Sequence, residues 1–206
     1  MRRILIVSAG VAIVLLVLSQ LLLPPFLEGK VADRLTKDGG HADVTLKAFP
    51  ALTLLAHSGR EAKVRADGVT LDLTAGGDKP LHELDGFSKV DLEVTSATAG
   101  PFRVSRMVLT RGSRDEPYTT SLDASVTGRE LATYAGSSIA GPLGGFFGGL
   151  AAGAAPLPDT RVPVHVNATI ASDGGAPSVE SAGGTIAGLP AGPLLEALAV
   201  AVGTRF

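Results

Sequence analysis

The first pattern in the chain is a long apolar run that is interrupted only by Ser8, Gly10, Ser19 and Gln20. Residues 4–23 carry no charge, and a helix of that length covers about 30 Å, the thickness of the hydrocarbon core of a bilayer. Arg2 and Arg3 precede the run, and a positive flank favours a cytoplasmic N-terminus. The pattern predicts a single-pass transmembrane anchor over residues 1–25 and a domain on the extracytoplasmic face over residues 26–206.

Two alternatives to an anchor fit the same run less well. A secretory signal peptide would be cleaved near Ser19, but Leu21, Leu22 and Leu23 would then begin the mature protein with more apolar chain. A buried core helix would show at least one polar face, and this run shows none. An uncleaved anchor at the plasma membrane is therefore the leading interpretation.

The next pattern has a helical period. Pro24 and Pro25 predict a break in the first helix, because proline lacks the N–H that a helix interior needs. Beyond the prolines, apolar residues recur at helical spacing with charged residues between them: Phe26, Leu27, Val31 and Leu35. This spacing predicts an amphipathic helix that Gly39 and Gly40 end.

From residue 41 onward the period changes to two. Alternation of apolar and polar residues predicts strands that bury one face. The alternating sets are Val44/Leu46, Ala62/Val64/Ala66, Val69/Leu71/Leu73, Val90/Leu92/Val94, Leu122/Ala124/Val126 and Val162/Val164/Val166/Ala168/Ile170.

Turn residues separate these strands and predict a largely antiparallel sheet. Asp67-Gly68 is typical of a tight hairpin, and residues 99–101 and 173–175 are typical of turns. Between Arg103 and Arg111 the alternation fails, which predicts a bulge near Ser105.

The fold class expected from these patterns is α+β, with a large antiparallel sheet and few helices. Short helical patches are predicted at residues 52–55, 129–139 and 193–202. They are too few to cover the apolar face of the sheet. Either the sheet curls on itself as a barrel or sandwich, or the curled sheet leaves room for an apolar ligand.

Composition removes several classes of function. The 206 residues include no Cys, which excludes disulfides, thiolate metal sites and a cysteine nucleophile. Lys and Arg number 18 against 20 Asp and Glu, so without Arg2 and Arg3 the balance is 16 against 20. That balance disfavours a nucleic-acid partner.

Candidate catalytic and metal-binding residues are also weak. His41, His57, His82 and His165 are scattered without the helical i, i+3 or i+4 partners of a metal site. Ser137-Ser138 lacks the second glycine of a nucleophile elbow. We therefore expect a protein that is not an enzyme and that needs no cofactor or metal.

A long uncharged stretch lies at residues 131–158. Glycines recur in it every fourth position around Phe146, Phe147 and Leu150. Small residues at that spacing allow close helix packing in membranes. Three interpretations stay open: a second span, an apolar segment in which these three residues touch the bilayer or gate a groove, and a plain connection.

Four arginines fall within twelve residues: Arg103, Arg106, Arg111 and Arg114. Guanidinium groups match phosphate oxygens, so the cluster is a candidate site for an anionic lipid head group. The alternative is a solvated strand edge blunted by charge.

One part of the chain resembles a known family. Phe49-Pro50, Leu52-Thr53, Ser58-Gly59-Arg60 and Val64-Arg65-Ala66-Asp67-Gly68-Val69-Thr70-Leu71 follow an apolar N-terminus in this order. This order resembles the LmeA-like phospholipid-binding family of actinobacterial envelope proteins. The resemblance implies a tubular lipid-binding fold, in which a curved antiparallel sheet wraps a helix. It also implies binding of phospholipid, anionic species included, in support of envelope lipid or lipoglycan assembly.

The apolar face of the sheet is where these expectations meet. An acyl tail of about 16 carbons costs on the order of 12 kcal/mol to hold in water, so a carrier must enclose it. The residues expected to line the tails are Phe26, Val31, Leu35, Val44, Leu46, Val69, Leu71, Val90, Leu92, Val164 and Val166. The functional expectation is a membrane-anchored phospholipid-binding protein; the alternative is an envelope adaptor that binds another protein through its sheet.

Overall fold

The structure is a computed structural model, and it describes residues 2–71, 81–130, 160–186 and 189–190, without the side chains of residues 2–18 and 186–190. Within these ranges it is an α+β fold with one large, mainly antiparallel sheet and few helices. This confirms the expected α+β class with a large, largely antiparallel sheet and few helices. The helices predicted at residues 129–139 and 193–202 lie almost entirely outside the described residues.

The first helix, α1, spans Arg2–Leu35 and contains both Pro24 and Pro25. The predicted break at these prolines is therefore wrong. Proline's fixed φ is compatible with a helix; its cost is lost hydrogen bonds and crowding of the preceding turn. Packing of the following segment on the sheet offsets that cost, because Leu27, Ala32 and Leu35 pack against the core.

Over the described part of the chain, no helix meets the length and apolarity that crossing a membrane requires. The side chains of residues 2–18 lie outside that part.

Within the described ranges, nine strands form the sheet. They are β1 (His41–Lys47), β2 (Gly59–Asp67), β3 (Thr70–Leu71), β4 (Phe87–Ala99), β5 (Phe102–Arg111), β6 (Tyr118–Val126), β7 (Val162–Asp173), β8 (Ala176–Ile186) and β9 (Leu189–Pro190). Their order is β1-β2-β4-β5-β6-β7-β8-β9, with β3 paired to β4. A 3₁₀ helix (Ala51–Ala56) follows β1, and a one-turn helix α2 (His82–Asp85) precedes β4.

Asp67-Gly68 does not form the predicted hairpin. β2 and β3 both pair with β4 in parallel, and Ala66 opposite Val94 keeps the same offset as Thr70 opposite Thr98. The chain thus continues in one direction through Gly68, whose φ of 67° suits glycine. The other neighbouring pairs are antiparallel.

A crease crosses three neighbouring strands at one level. Buried residues alternate with less buried ones along each strand, and this alternation is offset by one residue at three places. The places are Gly68 between β2 and β3, Ser96 in β4 and Ser105 in β5. Ser96 has a φ of 53°, and the register between β5 and β6 shifts at Ser105, which confirms the predicted bulge. An extra residue in a strand bends it and increases its twist. Three at one level bend this half of the sheet together.

The apolar residues of the strands project to one face and form one core. Fully buried members include Val69, Val90, Met107, Val164 and Ile170. The opposite face carries charged and hydroxyl side chains. The predicted alternation is confirmed for β1, β2, β4, β6 and β7, whereas β8 was missed because its sequence holds few large apolar residues.

Gly86 marks the closest approach of two chain segments and yields a test of the fold. A Cβ at Gly86 would lie 1.8 Å from the carbonyl oxygen of His57, whereas a Cβ at Gly183 meets nothing within 4 Å. We expect Gly86→Ala to lower the free energy of unfolding by about 1–3 kcal/mol or more through overpacking. Thermal melts should show no comparable loss for Gly183→Ala; equal melting temperatures for the two variants would contradict the close packing.

Candidate lipid-binding site

The candidate tail-lining residues of the strands fall into two groups. Val44, Val69, Val90, Leu92, Val164 and Val166 are buried, with exposed fractions of 1–8%. Leu46 and Leu71 are half-buried at the border of the same core. Protein atoms therefore cover the centre of the apolar face, and its border is the part that a ligand can reach without repacking.

The candidate residues on α1 lie at this border. Leu35 is half-buried against the core. Phe26 is 58% exposed and Val31 is 37% exposed. Lys30 places its Nζ 4.8 Å from the centre of the Phe26 ring, within range of a cation–π interaction. The amphipathic helix thus presents one apolar side to the sheet and leaves a second one open.

One hydrogen bond fixes the direction of the sheet relative to α1. The backbone N–H of Leu46 donates to Glu28 Oε1 at 2.7 Å. Because β1 begins after the end of α1 and reaches Glu28 near its own end, β1 runs back along the helix. We call the end of the sheet that lies toward residues 2–28 the proximal end, and the end near Leu35 the distal end.

The four candidate head-group arginines do not form one cluster. Arg103 is the second residue of β5, at the distal end, and Arg111 ends the strand at the proximal end. Eight residues of strand separate these two by about 26 Å. Arg106, between them, pairs with Glu93 on the polar face at 2.8 Å. The extended strand thus separates Arg103 and Arg106 from Arg111 and Arg114.

Arg111 is buried within a network of hydrogen bonds. It is 5% exposed, and its guanidinium donates to Asp85 Oδ1 and to the carbonyl oxygens of Leu84 and Phe87. The same Asp85 accepts from the hydroxyls of Tyr118 and Ser172. Burial raises the pKa of the Tyr118 hydroxyl, so it stays protonated as a donor. Arg111 therefore ties α2 to β5, β6 and β7.

The other two arginines are exposed and differ in their surroundings. Arg114 donates to the carbonyl oxygen of Gly86 beside Ser58, at the proximal end. Arg103 forms no ion pair with any described residue. It lines a cavity of about 600 Å³ at the crease, together with Ser96, Thr98 and Ser105.

A carboxylate on the rim of this cavity, that of Glu130, is paired with an arginine. Glu130 accepts hydrogen bonds from the N–H and hydroxyl of Thr127, while the N–H of Glu130 donates back to the Thr127 hydroxyl, which is a capping box at a helix start. Arg161 donates to Glu130 at 2.6 Å. The Thr127 hydrogen bonds and then Arg161 hold the pKa of Glu130 below its usual value.

Phe146, Phe147 and Leu150, the candidate bilayer-contact or gate residues, lie outside the described residues. Within the ranges that are described, no group of three or more His, Asp and Glu side chains could hold a metal ion.

Sequence reasoning missed a surface that the structure makes evident. Phe49, Leu52 and Leu55 are exposed on and just before the 3₁₀ helix, while Ala51 and Leu54 are buried beneath it. In a 3₁₀ helix, side chains three positions apart eclipse one another. The spacing 51/54 against 52/55 could have predicted a buried and an exposed stripe, but not which stripe would face the core.

Comparisons with known proteins add no neighbour. No family model matches the chain, no curated protein matches it, and no solved structure matches it.

Arginine burial gives the first test of this site. We expect Arg111→Met to lower the free energy of unfolding by about 3 kcal/mol, because it leaves Asp85 and buried carbonyls without their donor. Arg106→Met removes an exposed pair and should cost about 1 kcal/mol or less. Chemical denaturation of both variants measures the difference; equal losses would contradict the structural assignment of Arg111.

The polar face gives a pH-dependent test. Arg65 donates hydrogen bonds to Asp91 at 2.8 and 3.0 Å and holds the pKa of that carboxyl below its usual value. A lowered folded pKa contributes stability above the unfolded pKa of about 3.9, and that stability is lost as pH falls through the folded pKa.

We therefore expect Asp91→Asn to be less stable than the parent at pH 7, with the gap closing as pH falls below about 4. Thermal melts between pH 7 and pH 2.5 measure it. A gap that stays constant over this range would show that the carboxylate charge of Asp91 contributes nothing.

Proposed function

We propose that this protein is a membrane-anchored, extracytoplasmic phospholipid-binding domain with a non-catalytic role in envelope lipid or lipoglycan assembly. The observation that carries the proposal is the geometry of α1. A single helix joins the uncharged residues 4–23 to the half-buried border of a one-sided apolar sheet. The LmeA-like resemblance of residues 49–71 supports the same assignment.

The anchor part of the proposal rests on residues 1–25. Their uncharged run matches the thickness of a bilayer, and Arg2 and Arg3 favour a cytoplasmic N-terminus. The domain over residues 26–206 then lies on the extracytoplasmic face of the plasma membrane, with its proximal end toward the lipid.

We place the acyl tails at the border between α1 and the sheet. Phe26, Val31, Leu35 and Leu46 are exposed or half-buried there, so a tail reaches them without displacing the core. Leu71 is half-buried against the same core on β3. The fully buried valines of the strands lie behind this border and shape it. A tail in this position is in keeping with the proposed tubular lipid-binding domain, in which a sheet curves along a helix.

A head group has two charged candidates in this arrangement. Arg114 lies at the proximal end beside the 3₁₀ helix, and Arg103 lies at the distal cavity. A lipid that enters from the bilayer meets Arg114 first. Arg103, with three hydroxyl side chains around it, suits the phosphate of a lipid carried to the distal end.

A second candidate function follows from the far edge of the sheet. Among the described strands, β8 pairs with β9 only at Thr185 and Ile186, so its outer edge over residues 176–184 has no strand partner. An open edge can accept a strand from another protein. This favours the adaptor function expected as the alternative.

Lipid occupancy separates the two functions. The full chain is purified from membranes in mild detergent, and its lipid is extracted and quantified by mass spectrometry. The lipid-binding function predicts phospholipid in stoichiometric amount after gel filtration. A folded protein that carries no lipid would contradict it and leave the adaptor function.

A matched pair of variants tests the proposed border. Leu46→Trp adds bulk at the half-buried border and should lower lipid occupancy. Thr119→Trp adds the same side chain at an exposed position of β6 and should leave occupancy unchanged. Melting curves show that both variants fold; equal occupancy in folded variants would place the tails elsewhere.

A further inference from the structure

The proximal end of the domain carries an exposed apolar surface. Phe49 is 82% exposed, Leu55 is 60% exposed and Leu52 is 47% exposed. Three large apolar side chains in seven consecutive residues form a patch of the kind that marks an interaction site. We call these three residues the apolar patch.

The patch is held outward by the local structure. Ala51 and Leu54, one position before Leu52 and Leu55, are buried. The Thr53 hydroxyl donates to the carbonyl oxygen of Pro50 at 2.8 Å, and the N–H of His57 donates to that of Leu54 at 3.0 Å. These bonds close both ends of the 3₁₀ helix, so the eclipsed pair Leu52 and Leu55 cannot turn inward without unpacking Leu54.

The patch lies beside the part of α1 that leads into the apolar run. Leu46 is bound to Glu28, and the chain continues from there toward the proximal end. The 3₁₀ helix contacts α1. On α1, Leu21, Leu22 and Phe26 are exposed as well. Two apolar surfaces therefore stand side by side where residues 4–23 end.

From this geometry we infer that Phe49, Leu52 and Leu55 insert into the outer leaflet of the bilayer next to α1, and thereby hold the proximal end of the sheet against the lipid. The inference rests on the proposed function for its anchor, and it adds a second, independent contact with the membrane. Because the apolar patch adjoins the end of the uncharged run of α1, a lipid surface is favoured over a protein partner.

The chemistry of the surroundings fits a shallow insertion. Lys30, above the Phe26 ring, can place its ammonium at head-group level while its stem covers apolar surface. Arg114 and His57 adjoin the 3₁₀ helix, but Asp115 and Glu116 follow Arg114 directly. The positive charges of Lys30 and Arg114 balance the negative charges of Asp115 and Glu116, so insertion by the apolar side chains does not require anionic lipid.

The absence of tryptophan from the chain makes the test specific. Phe49→Trp and Leu55→Trp each introduce a single tryptophan at the patch. Asp43→Trp introduces one at an exposed position near the distal start of β1 and serves as the control. Each full-length variant is reconstituted in phosphatidylcholine vesicles, with and without brominated acyl chains, and its melting curve is compared with that of the parent.

Insertion predicts that both patch tryptophans emit with a blue shift and lose most of their emission to brominated lipid, while the emission of the Asp43→Trp variant is unaffected. A patch tryptophan that is blue-shifted but not quenched would be covered by protein. A patch tryptophan that is neither blue-shifted nor quenched would face water. Either result overturns the inference while leaving the anchor intact.

The anchor itself is checked in the same samples. If the parent chain fails to float with vesicles in a density gradient, the proposed membrane attachment fails, and the inference fails with it. If it floats and only the patch is unquenched, the inference alone fails.

Discussion

The docking of β1 along α1 is the interaction on which the rest of the structure depends. Glu28 binds the N–H of Leu46, and Leu27, Ala32 and Leu35 pack on the core. A carboxylate that accepts a backbone N–H removes the cost of leaving that donor unpaired at a partly covered edge. Because this contact fixes which way β1 runs, it also decides which residues reach the proximal end and which reach the distal end.

The crease is the second constraint on the shape. Gly68, Ser96 and Ser105 each add a residue at the same level of three strands, so the apolar side chains on both sides of the crease still face inward. Without the added residue, the apolar side chains beyond the crease would point to the solvent face, because side chains alternate between the two faces of a strand. The bent half of the sheet ends in the β4–β5 hairpin, where the cavity beside Arg103 opens.

Much of this was accessible from the sequence. Alternation predicted β1, β2, β4, β6 and β7, and the failure of alternation predicted the bulge at Ser105. The hairpin at Asp67-Gly68 was wrong because glycine's positive φ serves a continuing strand as well as a turn, and only long-range pairing with β4 decides between them. The helix break at Pro24 was wrong because tertiary packing of Leu27 and Leu35 outweighs local propensity. Which arginines are buried depends on where strand β5 ends, and spacing alone does not contain that information.

The docking of α1 on β1 and on the core implies that the helix and the sheet move as one rigid unit. Because the chain lacks cysteine, spin labels can be placed at Asp33→Cys on α1 and Lys63→Cys on β2, both exposed positions. The distance between the labels, measured by pulsed electron paramagnetic resonance in detergent and in nanodiscs, tests this most directly. A rigid unit gives one narrow distance distribution that is the same in detergent and in nanodiscs. A broad distribution, or a shift between the two, would show that α1 moves relative to the sheet.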